Sequence, residues 1–164
     1  MADVLYIEDD PNDADIFGRL MQKLDRHITY VVLSSGTEAI NYLLGKGSYQ
    51  SFRPQLPKLV LMDLNLDGIS GFDIIEQARA IDRTRFLPIV AFSTSDSPRD
   101  IRSAYEAGVN AYVVKPGSYP ATRTLIDQLC DFWLNKNTRI DSTAASPNGD
   151  VILHRRLTEW LTFN

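Results

Sequence analysis

Charged side chains follow three of the most apolar stretches of the sequence. Glu8 and Asp9 follow the first apolar run, Asp63 follows the third, and Lys115 follows the fifth. A carboxylate in such a position is compatible with a helix cap, a metal ligand or a nucleophile. One acid alone therefore decides nothing, and the elements that bring these residues together must be established first.

Five short apolar runs predict the strands that position these side chains. Each run is nearly continuous in Val, Ile, Leu and aromatic residues, as is typical of strands buried on both faces. Amphipathic stretches between the runs predict helices. The order βαβαβαβαβα is typical of a parallel sheet covered by helices, with right-handed connections. The predicted strands are Val4–Ile7, Thr29–Leu33, Leu59–Met62, Leu87–Phe92 and Ala111–Val114.

Capping residues mark where the helices begin. Asp10 and Ser97 each precede a proline, and Ser35 lies three residues before Glu38. These are patterns of helix N-termini. A final helix is predicted over about residues 120–136.

The carboxyl ends of parallel strands meet at one edge of an open sheet, where ligands bind. Ionised carboxylates in contact disfavour one another, so three of them require a cation, and Mg²⁺ suits carboxylate oxygens. The acidic pair is assigned as Glu8 and Asp9 because Asp10 is needed as a helix cap. We expect the following side chains at this edge: Glu8, Asp9, Asp63, Ser93, Thr94 and Lys115.

Taken together, these residues resemble the response-regulator receiver domain of two-component signalling, over about residues 4–134. The resemblance implies a flavodoxin-like α/β fold, a doubly wound (βα)5 arrangement whose five-stranded parallel sheet has strand order 2-1-3-4-5. It implies that Asp63 is the phospho-acceptor. The implied Mg²⁺ ligands are Glu8 through water, Asp9, Asp63 and the backbone carbonyl of Asn65.

The same resemblance implies a set of switch residues. Ser93 matches the hydroxyl that contacts the phosphoryl group, with Thr94 beside it, and Tyr112 matches the switch aromatic. Lys115 matches the lysine that pairs with the acceptor, and its bond to Pro116 resembles a cis peptide of the family.

The loop after Asp63 departs from the family pattern. Asp67 stands where the family usually has proline, and Ser70 stands where it usually has aspartate. Asp67–Gly68 still favours a turn. We expect this loop to be more flexible than in the family.

Composition and charge restrict the class of protein. The chain of 164 residues has a net charge of −4, which argues against nucleic acid as a partner. Its one cysteine, Cys130, excludes an intrachain disulfide. No apolar run is long enough for a membrane span and the N-terminus does not resemble a signal peptide, so a cytoplasmic protein is expected.

The C-terminal part predicts a tail beyond the receiver domain. We predict a receiver domain over residues 1–136, a polar linker over 137–150 and an amphipathic arm over 151–164, with no separate output domain. The arm either folds back or, as we expect, exchanges between the subunits of a homodimer. The interface candidates are Phe132, Trp133, Leu153, Leu157, Trp160 and Leu161.

A narrower resemblance concerns the segment LLGKGSYQSFRPQLPKLVLMDLNL and the tripeptide FWL. Both are similar to phytochrome-associated single-domain response regulators. This resemblance implies a sensor histidine kinase of phytochrome type as the partner.

Two other classes of protein compete with this interpretation. An aspartyl-phosphate phosphohydrolase of the haloacid-dehalogenase type needs a second aspartate two residues after the nucleophile, where this chain has Asn65. A flavin carrier needs a loop that binds phosphate after the first strand, where this chain has the acidic segment EDDPND. We therefore expect a phospho-accepting signalling protein rather than an enzyme, with only self-catalysed phosphoryl transfer and slow autodephosphorylation.

Overall fold

The computed structural model describes residues 2–24, 27–52 and 54–140. Within these ranges five strands and five α-helices alternate along the chain, with a 3-10 turn at Gly47–Tyr49 and a π-helical turn at Asp131–Lys136. The strands are β1 (Val4–Ile7), β2 (Tyr30–Leu33), β3 (Leu59–Met62), β4 (Ile89–Ser93) and β5 (Ala111–Val114). The helices are α1 (Pro11–Lys23), α2 (Gly36–Leu44), α3 (Gly71–Arg79), α4 (Pro98–Ala107) and α5 (Tyr119–Cys130).

All strand pairs are parallel, and the strand order is 2-1-3-4-5. The predicted flavodoxin-like α/β fold is confirmed. In the register of the sheet Ile7 pairs with Met62, and Ser93 pairs with Val114. These pairs are the last of their strands, at the carboxyl edge of the sheet. The loops that follow the strands therefore begin next to one another.

The sheet separates two hydrophobic layers. Alternate residues of a strand point to opposite faces. In β1, Leu5 and Ile7 pack into one layer with α2, α3 and α4, whereas Val4 and Tyr6 pack into the other with α1 and α5. Burial on both faces explains why the central strands are apolar throughout.

All three helices begin at the predicted caps, and two of the three caps make a side-chain hydrogen bond. The Asp10 carboxylate accepts hydrogen bonds from the N–H groups of the first turn of α1, and the Ser35 hydroxyl accepts one in α2. Helix α4 begins where expected, but the Ser97 side chain makes no capping hydrogen bond. Instead the Ser95 hydroxyl donates to the Asp100 carboxylate at 2.6 Å and accepts from the Ser97 N–H at 3.2 Å.

Two predicted strands, β2 and β4, have other bounds in the structure. β2 begins one residue late because the N–H and hydroxyl of Thr29 bond to the Asp3 carboxylate, at 3.0 and 2.7 Å. β4 begins at Ile89, directly after a proline that has no N–H to donate to a strand ladder, and it extends through Ser93. The last helix becomes π-helical from Asp131 onward.

The end of the described chain carries one strongly exposed aromatic side chain. Phe132 is 52% exposed, while Trp133 is half-buried against the layer that contains α5. The other interface candidates, the arm and most of the linker lie outside the described residues, so the division of the chain after residue 136 stays a prediction. In the part of the chain that the structure describes, no helix has the length and apolarity needed to cross a membrane.

Candidate functional site

Asp63 lies at the carboxyl end of the central strand β3 and is only 7% exposed. One carboxylate oxygen, Oδ1, accepts a hydrogen bond from the N–H of Asn65 at 2.9 Å. The other oxygen, Oδ2, accepts one from Lys115 Nζ at 2.7 Å. The acceptor carboxylate is therefore held in one orientation by two donors.

Two glycines let the chain turn closely around Asp63. Gly68 has a φ of +86°, which favours glycine. At Gly71, the first residue of α3, an added Cβ would lie 2.5 Å from the carbonyl oxygen of Asp63 and 2.8 Å from the Cα of Leu64. Helix α3 can therefore start against the end of β3 only because this position has no side chain.

Lys115 follows β5 and reaches across the edge of the sheet. Its Nζ lies 2.5 Å from Glu8 Oε2, 2.7 Å from Asp13 Oδ2 and 2.7 Å from Asp63 Oδ2. The Lys115 side chain is 9% exposed. The predicted convergence of Glu8, Asp63 and Lys115 is present, and the ammonium supplies a cation between carboxylates.

Asp13 is a member of this cluster that the sequence reasoning did not include. It lies in the first turn of α1, where its N–H donates to the Asp10 carboxylate at 3.3 Å. Its position in the sequence was the available signal. Helix α1 begins four residues after β1 ends, so its first turn lies next to the carboxyl end of that strand.

Glu8 is 1% exposed and is held by three donors. Its Oε2 accepts from the Tyr6 hydroxyl at 2.6 Å and from Lys115, and its Oε1 accepts from the N–H of Asp10 at 3.0 Å. Burial raises the pKa of Glu8, although the hydrogen bonds from Lys115 and Tyr6 oppose the shift. Burial and the bond to Glu8 also raise the pKa of Tyr6, which keeps this hydroxyl a donor.

The charge on Lys115 is strongly favoured. Burial alone would lower the pKa of its ammonium, but the hydrogen bonds to Asp13, Asp63 and Glu8 outweigh that effect and raise it. Lys115 therefore remains a cation throughout the neutral range.

Asp9 stands apart from the lysine cluster. It is half-buried, and its Oδ2 accepts a hydrogen bond from the N–H of Asp67 at 2.7 Å. The unusual residue of the loop thus binds the acidic pair through its backbone, which a proline in that position could not do. Among the residues that the structure describes, no lysine or arginine forms an ion pair with Asp9.

The donor set fits a divalent cation in its chemistry. Mg²⁺ is commonly held by one or two carboxylates, with water and phosphate completing the shell. Asp9 and Asp63 carry carboxylates of this kind, in the loops that follow β1 and β3. Over the described ranges, no group of three or more Asp, Glu, His or Cys side chains is arranged to hold a metal ion. The three carboxylates that the structure brings together are those of Glu8, Asp13 and Asp63, around Lys115. The expected grouping of Glu8, Asp9 and Asp63 around a metal stays a prediction.

The predicted switch residues lie at the end of β4 and on the neighbouring strand β5. Ser93 is fully buried, and its Oγ accepts from the N–H of Ser95 at 3.2 Å. Within the described residues the Ser93 hydroxyl has no acceptor of its own. Thr94 is exposed, and the hydroxyl of the half-buried Tyr112 donates to the carbonyl of Ser95 at 2.8 Å. Tyr112 is therefore tied to the loop that follows Ser93.

The peptide bond between Lys115 and Pro116 is trans, as are the others in the described part of the chain. The implied cis bond was wrong. An X–Pro bond favours trans unless the surrounding structure selects cis.

Comparison with known proteins places this chain among signalling regulators. Residues 4–127 match the family model described as the response regulator receiver domain. The probable methanogenesis regulatory protein FilR2 of Methanothrix harundinacea is 32% identical over 135 residues, which cover 82% of this chain and 84% of that protein.

Solved structures from phytochrome and red-light signalling are similar in fold. The phosphorylated cyanobacterial phytochrome response regulator RcpA has a TM-score of 0.78 and 25% identity, covering 86% of this chain and 100% of its own. The response regulator RPA3017 in red light signalling of R. palustris has a TM-score of 0.75 and 29% identity, covering 86% and 99%.

Proposed function

The chain belongs to the response-regulator receiver family, and we propose that it accepts a phosphoryl group on Asp63. The main observation behind this proposal is that two hydrogen-bond donors fix the orientation of the Asp63 carboxylate. Asp63 lies at the end of a central strand, one oxygen 2.7 Å from the Lys115 ammonium. A nucleophile and a cation in contact are what phosphoryl transfer requires, because the reaction depends on positioning and charge stabilisation.

The transfer converts a carboxylate into an acyl phosphate. An oxygen of Asp63 forms a bond to phosphorus while the bond between phosphorus and the donor's histidine nitrogen breaks, and the imidazole keeps the bonding electrons. Lys115 stabilises the charge of the phosphoryl oxygens as a compact ammonium. The Ser93 hydroxyl, at the end of the neighbouring strand β4, is free to donate a hydrogen bond, and we assign that bond to the new phosphoryl group.

Asp9, Asp63 and the carbonyl of Asn65 would hold Mg²⁺ in this site, and the metal supplies neutralisation of the reacting oxygens when bound. Glu8 already accepts hydrogen bonds from Tyr6, Asp10 and Lys115. We therefore assign Glu8 to holding Lys115, and to the metal only through water.

Phosphorylation changes the charge next to Ser93. The group adds about −1.5 to −2 charges on the precedent of phosphoserine. A hydrogen bond from Ser93 to it pulls on the loop of Ser95, whose carbonyl accepts from the Tyr112 hydroxyl. Tyr112 links this loop to β5, so the change at Asp63 reaches the surface formed by β4, α4 and β5.

The donor we propose is a sensor histidine kinase of phytochrome type. The similarity to the phytochrome regulator RcpA and to the red-light regulator RPA3017 supports this choice. A red-light bacteriophytochrome kinase, autophosphorylated with labelled ATP, should transfer its label to this chain within minutes. A chemotaxis kinase serves as the control donor, and equal transfer from both would contradict the phytochrome assignment.

We also propose a homodimer that uses the end of α5 and the C-terminal arm. Phe132, 52% exposed on the π-helical turn, supports an apolar contact there. Light scattering should give a dimer mass for the whole chain and a lower mass after deletion of residues 141–164. An unchanged mass after the deletion would contradict the role of the arm.

The test of phospho-acceptance is incubation with acetyl phosphate and Mg²⁺, followed by intact mass. The unmodified chain and the control Asp73→Asn, which changes an exposed acid in α3, should each gain one phosphoryl group. Asp63→Asn should gain none. An adduct that persists in Asp63→Asn would contradict the assignment, and steady turnover of para-nitrophenyl phosphate would indicate a phosphohydrolase instead.

A further inference from the structure

The ammonium of Lys115 is fully occupied by carboxylates. It carries three hydrogens. Its three acceptors are Glu8 at 2.5 Å, Asp13 at 2.7 Å and Asp63 at 2.7 Å. Two of the three acceptors therefore belong to groups other than the proposed phospho-acceptor.

Asp13 holds the lysine from a separate element. It belongs to α1, whose first turn is fixed by the Asp10 cap, and not to β3 or the loop after Asp63. Its side chain is 36% exposed, while that of Lys115 is 9% exposed. Asp13 thus bonds the buried ammonium from the more open side of the cluster, and it does so from an element that does not carry Asp63.

We propose that Asp13 is a positioning residue that anchors Lys115 through the phosphorylation cycle and thereby sets the rate at which Asp63 is phosphorylated. This inference rests on the proposed function. When the bond between Asp63 and phosphorus forms, one N–H group of Lys115 changes its hydrogen-bond acceptor from the Asp63 oxygen to a phosphoryl oxygen. Glu8 and Asp13 keep the ammonium in place during that exchange.

Loss of Asp13 would slow the transfer in two ways. With one acceptor lost, the Lys115 ammonium would bond more strongly to Asp63. A stronger hydrogen bond to the Asp63 oxygen makes that oxygen a weaker nucleophile. The long lysine stem would also regain rotamer freedom, which increases the entropy that must be lost on reaching the transition state. Asp13 also carries a negative charge that repels the donor, because the single positive charge of Lys115 is shared with Glu8 and Asp63. Repulsion alone predicts a faster reaction without Asp13, whereas anchoring predicts a slower one.

The kinetic test compares three variants with acetyl phosphate and Mg²⁺. Asp13→Ala should lower the phosphorylation rate at saturating donor by about ten- to hundredfold, the scale of an ~1 Å misplacement of a reacting group. Asp13→Glu, which restores the carboxylate, should recover most of the rate. The control Asp15→Ala changes an exposed acid on the same helix, paired with Arg19 at 2.8 Å, and should match the unmodified chain. An equal rate in Asp13→Ala would overturn the proposal, and a faster rate would overturn it in favour of simple charge repulsion.

A second readout follows the lysine itself and needs no phosphoryl transfer. A nitrogen-15 spectrum of lysine ammonium groups should show a slowly exchanging Lys115 signal in the unmodified chain and also in Asp63→Asn. The signal should broaden or vanish in Asp13→Ala while thermal unfolding shows that the fold is kept. An unchanged signal would overturn the anchoring.

The two readouts separate failure of this inference from failure of the proposed function. If the unmodified chain is phosphorylated on Asp63 and Asp13→Ala behaves identically, only the inference fails. If the unmodified chain accepts no phosphoryl group, the proposed function fails, and the spectrum of Lys115 still decides whether Asp13 anchors it.

Discussion

Replacing Tyr6 with phenylalanine removes one hydroxyl from beneath the site and leaves the ring packing intact. The Tyr6 ring lies 4.5 Å from the ring of Phe17 and 6.1 Å from that of Phe92, between centroids. Both contacts persist in Tyr6→Phe. What is lost is the 2.6 Å hydrogen bond from the hydroxyl to Glu8, whose carboxylate is 1% exposed.

The expected cost follows from the charge of the acceptor. A hydrogen bond to a charged group contributes about 1.5 to 3 kcal/mol, and an acceptor left buried cannot recover it from water. We therefore expect Tyr6→Phe to lower the free energy of unfolding at pH 7 by about 1.5 to 3 kcal/mol. For a chain of this size that corresponds to a fall of roughly 3 to 12 °C in Tm.

The cost should depend on pH in a defined direction. The pKa of Glu8 is raised in the folded protein, so the folded state binds this proton more tightly than the unfolded state does. The stability that protonation of Glu8 contributes is therefore fully present below the ordinary pKa of 4.5. It is lost as the pH rises through the raised pKa of the folded state. Tyr6→Phe removes a donor that favours the carboxylate, so its cost should be largest at neutral pH and should shrink on acidification.

Tyr30→Phe is the matched control. Tyr30 also contacts Phe17, with ring centroids 5.7 Å apart, but its hydroxyl makes only a 3.5 Å contact to the Gly18 carbonyl. Denaturant unfolding of both variants between pH 4 and pH 8 measures the difference. Equal costs, or a cost of Tyr6→Phe that grows toward low pH, would refute the argument that this hydroxyl stabilises a buried carboxylate.

Two other predictions concern the loop after the proposed phospho-acceptor. Asp67→Pro removes the N–H that donates a hydrogen bond to the Asp9 carboxylate. Asp67→Asn loses the same charge but keeps the N–H. Calorimetry should therefore show tighter Mg²⁺ binding by Asp67→Pro than by Asp67→Asn. Equal affinities would show that this hydrogen bond does not compete with the metal. Gly71→Ala places a Cβ 2.5 Å from the Asp63 carbonyl oxygen and should lower the free energy of unfolding by about 1 to 3 kcal/mol. Gly117→Ala meets no atom within 4 Å and is its control, and similar unfolding curves for the two would contradict the close approach.

The sheet was predictable from the sequence because apolarity and strand burial are directly related. β1, β3 and β5 were predicted with the bounds that the structure gives. The misplaced start of β2 arises from a contact between Thr29 and Asp3, which are far apart in sequence, so no local pattern reveals it. The parallel order then brought Asp63, Glu8 and Lys115 to one edge.

The partners within the site were less predictable. Which carboxylates surround Lys115 depends on the rotamer of a long side chain and on how closely α1 approaches, and neither leaves a periodic trace in the sequence. Asp13 is therefore absent from the residues that the sequence predicts for the site. The role of the Asp67 backbone was also out of reach, because an N–H donor is common to almost every residue and only its position against Asp9 gives it meaning.

The most direct test of the central claim locates the acyl phosphate. After treatment with acetyl phosphate and Mg²⁺, borohydride reduces an aspartyl phosphate to homoserine with loss of phosphate, and peptide mass spectrometry then identifies the changed residue. Our account predicts homoserine at position 63 and nowhere else. Homoserine at Asp9 or Asp13, or an unchanged Asp63 peptide in a chain that has gained phosphate, would contradict it.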